Sequence, residues 1–180
     1  MNKPEPWQTA EIPGPKKAFP ITRPDIVAAM TKKAKRPILV VGHEVVEVEL
    51  GKEGFVDYLI RFAKAAKVPL VATAHAGKEF IKRGFKPVAC MPAMDIANRL
   101  RDTEWKGLDG TGQYDLALFV GLPYYMEWVI LSGLKNFASQ LKTISLDRFY
   151  QPNASWSFPN LGIEEWKKNL DAIENELKGR

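Results

Sequence analysis

The stretch Arg36-Pro37-Ile38-Leu39-Val40-Val41-Gly42-His43-Glu44 constrains the fold more than any other part of the chain. An apolar, mostly β-branched run follows Pro37 and stops at Gly42. That pattern suits a strand covered on both faces, as in the middle of a parallel sheet. In open α/β sheets the ligand crevice lies just past the carboxyl ends of such strands. Gly42 and His43 are therefore the first candidate binding residues. The competing reading is that Gly42 only turns the chain and His43 is an ordinary loop residue.

Upstream, Thr22-Arg23-Pro24-Asp25 reads as a helix start, with Pro24 in the first turn and Asp25 at the positive end of the dipole. Downstream, Val45 to Leu50 alternates with glutamates as a short exposed extended piece. Lys52 to Ala66 then places Phe55, Leu59, Phe62 and Ala66 on one helical face. Val68 to Thr73 is a second buried strand. Strand, helix and strand within about thirty residues form a βαβ unit, expected to be right-handed and parallel. Thr73-Ala74-His75-Ala76-Gly77-Lys78 leaves the second strand as Gly42-His43 leaves the first. Gly77 and Lys78 open a short amphipathic segment, where glycine and helix-start amides can cradle a phosphate and Lys78 adds charge. The spacing matches no phosphate-loop motif.

Phe85 to Cys90 reads as a third, short strand, and Met91-Pro92 leads into a helix through Ile96 and Leu100 toward Trp105. Gly107, Gly110 and Gly112 mark a mobile loop. Cys90, beside Met91 and Met94, is expected to be buried packing rather than a nucleophile. Tyr114 to Gly121 is another buried strand ending in glycine. After Gly121-Leu122-Pro123 comes a helix to about Ser139, apolar on nearly every side. Such a helix must be covered on every side, which in a domain this small implies a second protein over its outer face. Lys142 to Asp147 gives a further core strand, whose Asp147 either accepts from ribose hydroxyls or caps the segment after it. The Gln151–Gly162 loop carries Trp156 and Phe158 as contact surface. A last helix has Ile163, Trp166, Leu170, Ile173 and Leu177 in an apolar seam for packing on the sheet.

Composition narrows the function. The 180 residues carry a net charge of +5, with basic residues interleaved with glutamates, so no nucleic-acid footprint is expected. One cysteine and two histidines leave no set of metal ligands. If metals matter to function, a partner holds them. Met1 to Pro6 lacks the apolar core of a signal peptide, and Gly121-Leu122-Pro123 interrupts the most apolar stretch. No membrane span and a cytoplasmic location are expected. Residues 1–22 hold Pro4, Pro6, Pro13, Pro15 and Pro20 with Trp7, Ile12, Phe19 and Ile21 between them. They read as an extended arm laid over this domain or another subunit, ahead of a single α/β domain at 23–180.

Arg36 to Gly42, the helix ending Ala65-Ala66-Lys67, and Val68 to Thr73 with Gly77-Lys78 resemble the central domain of thiamin-diphosphate enzymes such as acetolactate synthase. That group includes deoxyhypusine synthase and the sirtuins. The resemblance implies a three-layer, Rossmann-like parallel sheet flanked by helices, of a kind that often holds FAD or NAD. Phosphates would then sit over Gly42-His43 and Gly121-Leu122, with Thr73, His75, Gly77, Lys78 and Asp147 nearby. The Gly-x-Gly-x-x-Gly fingerprint is absent.

The proline-rich arm, Arg36 to Gly42, Val68 to Lys78, and the Tyr114–Gly121 strand with its Trp128 helix resemble the epsilon subunit of the archaeal acetyl-CoA decarbonylase/synthase complex, in its carbon monoxide dehydrogenase component. That resemblance implies a non-catalytic accessory chain, with no tightly bound cofactor and FAD as the candidate. Its expected partners are a large nickel–iron–sulfur alpha subunit, in a two-alpha, two-epsilon assembly, and the other subunits of the complex. Stabilising the alpha subunit and assisting electron transfer to FAD are the implied roles. The alternative is a free-standing flavin- or NAD-binding module or enzyme of the same fold. A sirtuin-type enzyme is excluded by the single cysteine, since sirtuins carry a four-cysteine zinc site.

Overall fold

A computed structural model describes residues 16–50 and 53–179. The segment with Trp7, Ile12 and the first four of the arm's prolines lies outside the described residues. The elements run β1 (Phe19–Pro20), α1 (Asp25–Lys33), β2 (Pro37–Val41), a 3-10 turn (His43–Val46), β3 (Glu49–Leu50), β4 (Glu53–Gly54), α2 (Phe55–Ala66), β5 (Leu70–Ala72), α3 (Ala74–Lys82), β6 (Ala89–Cys90), α4 (Ala93–Arg101), β7 (Leu116–Val120), α5 (Tyr124–Phe137), β8 (Lys142–Ser145), β9 (Trp156–Ser157) and α6 (Ile163–Lys178). Seven strands form one parallel sheet in the order β1-β9-β8-β7-β2-β5-β6. The three-layer α/β arrangement implied by the resemblance is what the chain adopts.

The central strands alternate between two cores because successive side chains point to opposite faces. Leu39, Val41, Leu118, Val120 and Ile144 pack with α1, α2, α3 and α6 on one face. Ile38, Val40, Ala117 and Phe119 pack with α4 and α5 on the other. On the first face Phe55 meets Trp166 edge-on at 4.9 Å between ring centroids, and Trp166 donates its indole N–H to the Leu146 carbonyl at 2.8 Å. The α6 seam therefore does pack on the sheet.

The chain leaves β2 toward β5 over the first face, and leaves β7 toward β8 over the second. Adjacent strands β2 and β7 thus send their crossovers in opposite directions, and the sheet's switch point lies between them. Their registers end together, Val41 beside Val120. Gly42 and Gly121 emerge side by side at the place where such sheets open a crevice.

Several expectations are corrected. Val45 to Leu50 is not an exposed extended piece: His43–Val46 is a 3-10 turn with Val45 fully buried, and only Glu49–Leu50 is strand. Gly77 and Lys78 do not open a helix, because α3 starts at Ala74 and the Gly77 amide is already bonded to the Thr73 carbonyl at 2.8 Å. Gly77 is small for packing: a Cβ there would lie 2.7 Å from the Cys90 sulfur. Cys90 itself is exposed rather than buried, since β6 is the sheet's edge. Trp105 lies beyond α4, its ring against Tyr114. Phe158 belongs to the core, and Trp156 lies in β9, between β1 and β8. The 107–112 loop is tied down by Arg36, which pairs with Asp109 at 2.6 Å and with Thr111. Residues 18–21 of the arm join the sheet edge, with Phe19 beside Trp156 and Ile21 buried.

Candidate functional site

The ends of β2 and β7 touch backbone to backbone. A Cβ placed on Gly42 would sit 2.0 Å from the Gly121 carbonyl oxygen, so only glycine fits. Gly121 is left-handed, with φ +69, and a Cβ there would meet Val45 Cγ1 at 2.2 Å. The 3-10 turn is pinned by the Glu44 amide donating to the Gly121 carbonyl at 2.9 Å. Val45 thereby fills the gap between the two strand ends.

Beyond β7 and β8 lies a cavity of about 330 Å³, lined by the 3-10 turn, Gly121, Leu122, the start of α5 and the Asp147–Phe149 turn. Its floor is acidic. Asp147 accepts the Gly121 amide through both carboxylate oxygens, at 3.0 and 2.9 Å. Glu127, fully buried on the inner side of α5, accepts from the Gln151 side chain at 3.5 Å, while that amide also donates to the Tyr124 carbonyl at 3.1 Å. Below them β8 turns Thr143 and Ser145, rather than apolar residues, toward α5. Glu127 Oε1, Gln151 Oε1 and Ser145 Oγ are buried without a hydrogen-bond partner.

Burial pushes the Asp147 carboxyl up to about 7, against the opposing effect of the Gly121 amide. Burial and then the Asp147 charge hold Glu127 well above the usual carboxylate range. In a pair of this kind one carboxyl keeps its proton near neutrality. The amide bonds place the anion on Asp147 and the proton on Glu127.

The candidate residues read from the sequence are divided by the structure. Gly121, Leu122 and Asp147 line this cavity, and Gly42 supports it from behind. His43 is exposed on the 3-10 turn. Thr73, His75, Gly77 and Lys78 lie at the end of β5 and along α3, outside the cavity lining. Glu127 and Gln151 escaped the sequence reading, although Glu127 falls at helical spacing with the buried Ile130, Leu131 and Leu134.

This geometry does not fit a dinucleotide phosphate at the strand ends. The Gly42 amide is bonded to the Val120 carbonyl at 2.8 Å, and the Gly121 amide to a carboxylate. Phosphate cradles need such amides directed at the ligand, and here a negative charge already occupies one of them.

A second candidate surface is the outer side of α5. Tyr125, Val129, Gly133 and Phe137 recur at four-residue intervals, which puts them in one row along the helix. Tyr125, Val129 and Phe137 are 70%, 52% and 66% exposed. A Cβ at Gly133 would meet no atom of the described residues within 4 Å beyond the helix's own backbone. Among the described residues no helix is long and apolar enough to cross a membrane, and none form a cluster of three or more metal-ligating side chains.

Residues 1–177 match the family model described as CO dehydrogenase beta subunit/acetyl-CoA synthase epsilon subunit. The chain is 41% identical over 178 residues to the acetyl-CoA decarbonylase/synthase complex subunit epsilon of Methanothrix soehngenii, covering 97% of this chain and 92% of the relative. It is 34% identical over 171 residues to that subunit of Methanothermobacter thermautotrophicus, covering 95% of each. Subunit epsilon 1 of Archaeoglobus fulgidus is 44% identical over 141 residues, covering 77% of this chain and 73% of the relative.

Proposed function

The chain belongs to the CO dehydrogenase beta subunit/acetyl-CoA synthase epsilon subunit family, and from that premise we propose that it is a non-catalytic accessory subunit of an acetyl-CoA decarbonylase/synthase complex. It docks on the large nickel–iron–sulfur alpha subunit, in a two-alpha, two-epsilon assembly in the cytoplasm, and stabilises that partner.

The row Tyr125-Val129-Gly133-Phe137 carries this reading. A glycine inside a helix costs about 1 kcal/mol relative to alanine, and among the described residues no packing requires one at Gly133. A partner backbone approaching closely between Val129 and Phe137 supplies the reason. Exposed aromatic and branched side chains on either side give that contact its apolar anchors. The acidic floor at Gly121 weighs against assistance of electron transfer by FAD bound there, and against a free-standing flavin or nicotinamide module. Co-purification from native extract tests the proposal. A nickel–iron–sulfur subunit should accompany the chain, and a chain recovered as a lone soluble monomer would contradict it.

A further inference from the structure

The cavity beneath Gly121 is a built site with no assigned ligand. Glu127 and Gln151 both line it and are 0% and 1% exposed, and Gln151 Oε1 has no hydrogen-bond partner. A buried acceptor without a donor costs about 1–3 kcal/mol; with the Glu127 proton held toward Asp147, Gln151 Oε1 is the oxygen left without an N–H group. The walls are the rings of Phe55, Tyr124 and Trp166, with Phe149 at the mouth. The volume lies at the lower end of the range of small-ligand pockets.

We propose that this cavity binds a small planar cation of the amidinium or guanidinium class. A forked pair of N–H donors satisfies the Glu127 and Gln151 oxygens together. The flat cation stacks against the aromatic walls. Its charge replaces the proton that Glu127 and Asp147 hold between them. Glu44 and Glu47 at the mouth add negative potential. The one cation of the lining, Arg148, lies over the Phe149 ring at 4.0 Å and is directed to the Leu161 carbonyl. Phosphate is refused for the same reasons that a cation is accepted.

Titration of the full chain with benzamidine, followed by NMR at the Gly121 amide and the Gln151 side-chain amide, tests this. Saturable shifts at both are expected below about 10 mM, a weak affinity suited to one anchoring group. Neutral benzamide should bind at least about tenfold more weakly, as should benzamidine to Glu127→Gln, because each removes one charged partner. Binding near pH 6 should release a proton, read from the buffer dependence of the binding heat. Inorganic phosphate should leave both amides unmoved. The proposal is overturned if benzamidine shifts neither amide, or if Glu127→Gln or benzamide binds as tightly. Repeating the titration on the assembled complex distinguishes the source of the cation. Dissociation of the partner identifies an arginine supplied by that subunit, and undisturbed assembly identifies a free small molecule.

Discussion

Asp147 holds the backbone of Gly121 through both carboxylate oxygens, at 3.0 and 2.9 Å. The bond joins the turns after β8 and β7 at the point where the sheet reverses its winding direction. It also puts an anion where relatives of this sheet architecture place a phosphate.

The Glu127–Asp147 pair should make stability depend on pH. Both groups have folded-state values raised above the unfolded ones, so the folded chain binds more protons than the unfolded chain between about 4 and 7. Their contribution is full below the unfolded values; that of Asp147 is lost as pH rises through about 7, and that of Glu127 as pH rises through its own raised value. Urea unfolding at pH 5.5 and pH 8 should show Glu127→Gln gaining about 1–2 kcal/mol over the native chain at pH 8, and much less at pH 5.5. An equal difference at both would refute the assignment.

The strand-end glycines should tolerate nothing larger. Gly42→Ala drives a methyl into the Gly121 carbonyl, and Gly121→Ala adds a left-handed backbone to a clash with Val45. Each is expected to cost about 3 kcal/mol or more in thermal or urea unfolding. A loss under about 1 kcal/mol would mean that the two strand ends lie farther apart than described.

Gly133 should behave in the opposite way in the isolated chain. Gly133→Ala meets open space and should stabilise the free subunit by about 0.5–1 kcal/mol. In thermal melts, a loss of stability would mean that the helix is distorted there.

What could be read directly was what the local pattern carried. Ile38–Val41 and Leu116–Val120 announce themselves because they are buried on both faces and contain no polar residue. The two-residue strands β1 and β9 have no pattern to read, and their pairing is set by neighbours far along the chain. Phe158 was hidden by the turn formers around it, and Cys90 by its edge position. The switch point followed from the strand-ending glycines. Its acidic floor did not, because in sequence Glu127 is only the single charge between Leu116 and Leu134. Its buried position becomes visible once the 127-130-131-134 spacing is laid on the inner face.

The central claim is that the outer row of α5 docks on a partner through a close approach at Gly133. The most direct measurement is assembly of Gly133→Leu and Tyr125→Asp chains with the nickel–iron–sulfur subunit, scored by size-exclusion chromatography beside thermal melts of the free variants. Both free variants should melt within a few degrees of the native chain, since their side chains face solvent, while assembly should fall by at least about tenfold, as expected when a central contact is lost. Undiminished assembly by both folded variants would contradict the claim.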